Sequence, residues 1–307
     1  MIHSTEYARS FWNALRRGGQ AKLDLLDRSA RHTNTGTYQL PADTAQKYED
    51  KLAKTSVFRQ IATVVHAEES DSDIWTFDSD DAAQWVGDRP VDVTSCAGDF
   101  AQHSIAVHRL ATMIRLGSDF AGDLKFDIED YLTTAFSKKF AKAEDAAFIS
   151  GDGVDQPVGI LTDEGGSDVG VTAADGNGIS FDELTRLYFS VKPEYRSNAV
   201  WLMNDETALT LRSMKDDAGN FLWRGSPETL MGRPMVISNA MPSMAPGAKP
   251  VAFGDFSWYW IVVRFPLTVR VLDELFALQN HRGYLAYEFL DGRLIRPEAV
   301  KTLKMAI

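Results

Sequence analysis

The stretch from Phe126 to Leu161 constrains this chain more than any other. FDIEDYLTTAFSKKFAKAEDAAFIS predicts one long helix, with Ile128, Leu132, Phe136, Phe140, Ala143 and Ala147 recurring along a single stripe. Asp127, Glu129 and Asp130 sit at its start, and Lys138, Lys139 and Lys142 lie further on, a polarity that suits the helix dipole. At ~1.5 Å per residue the helix is roughly 35 Å long. Gly151-Asp152-Gly153 ends it, and QPVGIL leads out. No catalytic chemistry needs that order of residues.

The 307 residues allow two compact subdomains or one large one. Hydrophobic and charged contents of 44% and 24% are ordinary for a globular protein. No apolar run approaches the ~18 residues needed to span a bilayer. MIHSTEYARSFWNALRRGG lacks the apolar centre of a secretory signal, so folding in a cytoplasm is the default. Cys96 is the sole cysteine, which excludes an intrachain disulfide and a zinc site built on paired cysteines. It reads as a small buried or half-buried residue rather than a nucleophile. The net charge of −11, with basic residues scattered, argues against nucleic-acid reading as the main task. An acidic wall around packaged DNA is reasonable physics, because it does not trap the polymer.

Along the chain, Tyr7, Phe11, Ala14 and Leu15 recur at helical spacing up to Gly18-Gly19. An irregular arm follows, and then a second helix, DTAQKYEDKLAKTSVFRQIA, with Asp43 as its expected N-cap. Residues 61 to 110 read as β-rich: IATVVHAEE, IWTF, AQWVGDRPVDV and HSIAVHRL alternate or cluster apolar residues. The stretch between them is long, polar and rich in Asp and Ser. It reads as a projecting two-stranded loop that finds its partner on another subunit, since isolated hairpins are marginal in water. Ser180 and Glu183 form a capping-box pattern, and Asn204 caps NDETALTLRSMKD. NAVWLM, PMVIS, PVAFG, WYWIVVRF, LTVRVL, GYLAYEFL and AVKTLKMAI are strand candidates, so the fold class is α+β with interrupted subdomains.

Each candidate for chemistry has a plainer reading. Gly151-Asp152-Gly153 follows a helix and lacks a Gly-Lys-Ser/Thr closure, so it is a helix stop rather than a phosphate loop. The six histidines form no HxxxH or HExxH, and His103 and His108, five apart in a strand-like segment, are expected on opposite faces. Asp71, Asp73, Asp78, Asp80 and Asp81 lack the Gly and terminal Glu of a calcium loop and read as a solvated loop. There is no Gly-x-Ser-x-Gly elbow and no dinucleotide fingerprint. Trp258 and Trp260 suit core packing and an intersubunit contact equally. Catalytic, cofactor-binding and metal-binding residues are therefore all expected to be none.

Nearly the whole chain, from about Phe11 to Leu303, resembles the major capsid proteins of tailed double-stranded DNA bacteriophages, the Hong Kong 97 fold family. GTYQLP is similar to the family's arm, and SVFRQIATVV to the segment that enters its extended loop. AAQWVGD is similar to the middle of that loop. FDIEDYLTTAFSKKFAKAEDAAFISGDGVDQPVGIL resembles the spine helix and its exit. YRSNAVWLMNDETALTLRSMKDDAGNFLW, LMGRPMVISNAMP and VAFGDFSWYWIVVR resemble the axial domain.

The resemblance implies an N-terminal arm (1–55), a peripheral domain (56–65, 109–162 and 265–295), an extended loop (66–108) and an axial domain (163–264 and 296–307). It implies a structural protein, not an enzyme, that forms hexamers and pentamers of an icosahedral shell, assembled in the host cytoplasm and found in the virion. The shell encloses double-stranded DNA without reading its sequence, and no membrane is involved. A scaffolding protein acting in trans, a portal and decoration proteins are the further partners it allows. Some family members carry a scaffolding domain ahead of the arm that is later cut away; with Met1 close to the arm, such a scaffold is expected to be absent, a separate protein, or a fused domain removed ahead of this numbering. Trp75, Phe77, Trp85 and Val86 in the loop, with Tyr38, Phe11 and Trp12 in the arm, are the expected intersubunit contacts. Some family members crosslink a loop lysine to an asparagine with a glutamate as base. Asn280 and Glu288 lie near the matching acceptor region, but no lysine occurs between Lys54 and Lys125, so the donor is missing. An encapsulin-type nanocompartment around enzyme cargo is the alternative with the same fold.

Overall fold

The long helix runs from Ile128 to Ser150, capped by the Asp127 side chain, which accepts from the Asp130 amide. The computed structural model describes residues 5–17, 37–67, 73–78, 99–123, 125–216, 218–223, 226 and 228–307. In chain order its elements are α1 (Thr5–Arg17), β1 (Thr37–Gln39), α2 (Ala42–Thr55), α3 (Val57–Ile61), β2 (Thr63–His66), β3 (Asp73–Asp78), β4 (Asp99–Ser104) and β5 (His108–Gly117). Next come α4 (Ser118–Gly122), α5 (Ile128–Ser150), β6 (Asp168–Thr172), α6 (Phe181–Ser190), α7 (Pro193–Arg196), β7 (Val200–Met203), α8 (Asp205–Ser213), β8 (Thr229–Leu230) and β9 (Arg233–Ile237). The last are β10 (Val251–Gly254), β11 (Tyr259–Leu272), β12 (His281–Leu294) and β13 (Val300–Lys304).

The strands form two main sheets and a separate ribbon. The first sheet has the order β1-β11-β12-β5, with β2 lying parallel to the start of β11. The second has the order β6-β13-β10-β7-β9-β8. The ribbon is β3 against β4, in register from Asp73 opposite Ser104 to Asp78 opposite Asp99. Fold class α+β thus holds, and the projecting region expected between 66 and 108 contains an antiparallel pair.

Period-two alternation decides which face of the first sheet is buried. On β12, Tyr284, Ala286, Glu288 and Leu290 point inward, and on β5 Ile114 does. Helices α1, α2 and α5 cover that face with Tyr7, Phe11, Leu15, Tyr48, Leu52, Leu132, Phe136 and Phe140. A second cluster lies between the second sheet and α6 and α8, around Trp201, Phe253, Leu187 and Leu211. A third joins the two sheets: Phe148 and Ile149 from the end of α5 meet Phe58, Tyr259, Ile261, Leu294 and, from the second sheet, Leu202 and Val300. The Phe58 ring lies 4.9 Å from Tyr259 and 5.6 Å from Phe148, centroid to centroid. Burying each such side chain stabilises the fold by about 1.5–3 kcal/mol.

Several expectations need correction. Asp43 is not the cap of α2; Pro41 holds that position, and Asp43 sits in the first turn, where its charge still suits the dipole. Ala143 is exposed and Ala147 half-buried. A strict four-residue row drifts around a helix of 3.6 residues per turn, so the last two turns of α5 bury Glu144, Asp145, Phe148 and Ile149 instead. WYWIVVRF and LTVRVL are one strand, β11, whose register against β12 shifts twice near Phe265. The boundary expected at 264/265 therefore falls inside a strand. His103 and His108 belong to separate strands, β4 and β5, rather than to two faces of one segment. AQWVGDRPVDV, Cys96, Asp71, Asp80 and Asp81 lie outside the described residues.

The exit from α5 explains its glycines. Gly151 and Gly159 pack backbone to backbone: a Cβ on Gly151 would sit 2.0 Å from the Pro157 carbonyl oxygen, and one on Gly159 2.5 Å from the Gly151 nitrogen. Gly159 and Ile160 then donate to Gly151 and Phe148 carbonyls at 2.9 Å each. The Gly-Asp-Gly turn is a packing device.

Candidate assembly interface

The β3–β4 ribbon pairs with no strand of either main sheet among the described residues. Its root is tied to β12 by one carboxylate. Asp291 accepts from the Ala106 amide at 2.8 Å and from the Gly292 amide at 2.8 Å, and it faces His108 Nε2 at 3.6 Å. Burial pushes the Asp291 carboxyl up, against the pull of those amides. Thr76 Oγ1 and His103 Nε2 lie 3.0 Å apart across the ribbon. Ile74 and His103 close a small hollow with Trp260, Asp291 and Arg293.

The expected contact residues separate into three groups. Trp75 stands on β3 with 59% of its surface exposed, and Phe77 lies opposite Phe100 in the ribbon register. Trp85 and Val86 lie outside the described residues. Phe11 and Tyr38 are enclosed by their own chain, at 0% and 4% exposure, so in this conformation they present almost nothing to a neighbour. Trp12 is half-buried, edge-on to Phe11 with centroids 5.1 Å apart. The arm aromatics pack inward because α1 is amphipathic and the sheet's inner face needs a cover.

Two features were missed in the sequence. The first is a buried charge cluster linking α2, α3, α5 and β12. Arg59 Nε and Nη2 donate to Glu144 at 2.7 and 2.8 Å, and Nη2 also reaches Glu288 at 3.3 Å. Tyr48 Oη donates to Glu288 at 2.9 Å. Asp145 accepts from Ser56 Oγ at 2.6 Å and from the Val57 and Phe58 amides at 3.1 and 3.0 Å, so it secures the start of α3. Burial pushes Glu144 up to about 7, opposed by Arg59, and pushes Glu288 up for the same reason. Glu288, at 3% exposure, points into this cluster, and Asn280 lies at the far start of β12, roughly 26 Å away along the strand at ~3.3 Å per residue. The signal in the sequence was Glu144, four residues from both Phe140 and Phe148 on the packed side of the helix, with Asp145 beside it.

The second is the outer face of the first sheet. There β5 presents Arg109, Ala111, Met113 and Arg115, β12 presents Leu285, Tyr287 and Phe289, and β11 presents Phe265, Arg270 and Leu272. The alternation of Leu110, Thr112, Ile114 and Leu116 with those β5 residues was the available signal.

No group of three or more metal-ligating side chains occurs among the described residues, and no described helix is long and apolar enough to cross a membrane.

The phage capsid family profile matches residues 36–305 of this chain. Among solved structures, the capsid of an empty GTA (gene transfer agent) particle computed with C5 symmetry superposes with a TM-score of 0.70 and 30% identity, covering 93% of this chain and 98% of that one. The capsid of the native GTA particle gives 0.67 and 30%, covering 96% and 99%. The matched chain of Gordonia phage Cozz gives 0.59 and 16%, covering 82% and 87%, a likeness of fold. No curated protein matches the chain.

Proposed function

The chain belongs to the phage capsid family and has its mixed α+β Hong Kong 97-type fold, and on that premise we propose that it is a major capsid protein whose hexamers and pentamers close into an icosahedral shell around double-stranded DNA. It is a structural protein, not an enzyme. The observation that carries the reading is 30% identity to a particle capsid across 93% of this chain and 98% of that one. The C5 symmetry in that relative's description supports pentamers at the vertices.

In this reading the first sheet with α5 forms the peripheral part and the second sheet the axial part. Helix α2 packs along α5, so it goes with the peripheral part rather than with a free arm. The β3–β4 ribbon and the residues between its strands form the extended loop that reaches a neighbouring subunit, with Trp75, Phe77, Trp85 and Val86 as anchors. The shell is held without covalent crosslinks. The higher identity to GTA capsids than to phage capsids favours a GTA-type particle as a second reading of the source.

The test is expression of the full chain, sedimentation, electron microscopy of the fast fraction, and sequencing of nuclease-protected DNA from particles made in the native cell. Closed icosahedral shells holding DNA are expected, and the DNA identifies virion or GTA. Shells that carry enzyme cargo and no DNA would instead support a nanocompartment. A chain that stays monomeric at all concentrations would refute the proposal.

A further inference from the structure

We propose that the open face of the α2–α5 helical layer, at Lys54, Lys138 and Lys142, bears on the phosphate backbone of double-stranded DNA inside the shell. This rests on the shell reading and deepens it, because it names the side of the subunit that the DNA meets.

The fold unmixes the charges of α5. From Tyr131 to Ser150 that helix carries three lysines and two acids. Glu144 and Asp145 are buried, at 1% and 9% exposure, and are taken up by Arg59, Ser56 and the Phe58 amide. Lys138, Lys139 and Lys142 are exposed. Every exposed charge on this stretch is therefore positive, over roughly 30 Å at ~1.5 Å per residue. Lys139 donates to the Met113 carbonyl at 2.9 Å, which leaves Lys138 and Lys142, one turn apart, facing out.

Helix α2 extends the pattern. It runs in the same direction as α5, since Thr44 meets Glu129 and Ser56 meets Asp145. Lys47 pairs with Glu129 at 2.9 Å and Lys51 with Asp130 at 2.6 Å, so the start of the groove between the helices is neutralised. Lys54 is next on that α2 face, and Lys138 lies one turn beyond Thr134, to which Lys51 donates. Beyond Asp130 the exposed acids of α5 stop and the lysines continue. Lys54, Lys138 and Lys142 have no ion-pair partner among the described residues, and Asp50, one turn ahead of Lys54, makes no ion pair with it.

The character of the face selects the partner. Ala135, Ala143 and Ala146 on α5 and Ala53 on α2 stand among the lysines, and these short side chains leave the ammonium groups clear. Among the described residues of the two helices, Tyr131 is the one exposed aromatic. Protein interfaces are depleted of lysine and anchored by aromatic residues, whereas lysine contacts to phosphate position a duplex and carry no sequence information. Lysine is a mobile point charge, so each contact is loose. The net charge of −11 on the whole chain keeps the polymer from being trapped. The helical layer then faces the lumen, and the opposite face of the first sheet faces outward.

The test uses DNA-filled particles from the native cell. They are fixed with formaldehyde, digested with nuclease and protease, and mapped for nucleotide-bearing peptides, which should centre on Lys54, Lys138 and Lys142. In parallel, particles of the parent and of Lys54→Gln/Lys138→Gln/Lys142→Gln are opened by osmotic shock and washed at rising NaCl. The salt concentration that releases half of the DNA should fall at least about twofold in the variant, because each phosphate contact adds ~0.9 to the salt exponent. Adducts confined to other residues, or release at the parent's salt concentration, overturn the DNA face while leaving the shell reading intact. Carbodiimide links from these lysines to carboxylates of another chain, without DNA adducts, assign the face to a protein partner and also overturn it. A variant that yields no particles leaves the decision to the adducts on the parent. Particles that hold no DNA sink both readings.

Discussion

Arg59 grips Glu144 through two parallel hydrogen bonds, at 2.7 and 2.8 Å, inside a protein interior where Glu144 is 1% exposed. The pair alone would be neutral. Glu288 adds a second buried carboxyl 3.3 Å from the same guanidinium, so two acids share one cation and the Tyr48 hydroxyl. A buried charge without a partner is costly, and burial pushes both carboxyls up, towards the protonated form. Two of the cluster's four elements, α2 and α3, lead the chain into β2, and the other two, α5 and β12, are the helix and strand they pack against.

Glu288→Gln should flatten the pH dependence of subunit stability. Burial raises the folded pKa of the carboxyl pair, with Glu144 at about 7, above the ordinary value of 4.5. The unfolded chain then releases its proton first. The stability is fully present below about pH 4.5 and is lost as pH rises towards 7, by about 3 kcal/mol at ~1.4 kcal/mol per unit. Denaturant unfolding of the unassembled subunit between pH 5 and 8 measures this. Equal slopes for parent and variant would count against a shared proton.

Trp75→Ala should leave the subunit's stability within about 0.5 kcal/mol, because the side chain is mostly in solvent. Particle yield or shell heat resistance should fall, and Trp85→Ala should behave alike. Sedimentation beside circular dichroism reads both. Unfolding of the subunit, or shells as robust as the parent's, would mean that the ribbon does not work between subunits.

Boiled, denatured particles should run as one band near 34 kDa. No lysine occurs between Lys54 and Lys125 to act as a donor, and Glu288 is held by Arg59 and Tyr48 on the inner face of the sheet. A ladder that survives reductant would refute a non-covalent shell.

Gly159→Ala should destabilise the subunit by about 1–3 kcal/mol, the usual cost of overpacking. The new Cβ would fall 2.5 Å from the Gly151 nitrogen, a backbone atom that cannot swing aside. Gly219→Ala is the contrast: nothing lies within 4 Å of its Cβ, and only its positive φ of 84° opposes the change. Thermal unfolding of the two variants should rank Gly159→Ala as the more damaging.

Much of the local structure was legible in the residue order. The Ser180–Glu183 capping box forms as expected, and Asn204 caps α8 by accepting from the Thr207 amide at 2.7 Å. The spine helix and its stop at Gly151 are where the pattern places them. The ribbon was anticipated as strands that cannot make a core alone. What stayed hidden were distant meetings: the joining of WYWIVVRF to LTVRVL in one strand, the inward packing of Phe11 and Tyr38, and the cluster around Arg59.

The division follows the range of the forces. Helix periodicity, caps and turn glycines act over a few residues, so sequence alone determined the spine helix, its polarity, the family and the absence of familiar catalytic motifs. Tyr48 meets Glu288 across 240 positions, and Arg59 meets Glu144 across 85. Such pairs form only after the sheet's register is set, and that register depends on the summed packing of both faces. The tertiary structure therefore decided which charges are buried together, which aromatic side chains are enclosed by their own chain, and which arginines line the sheet's open face.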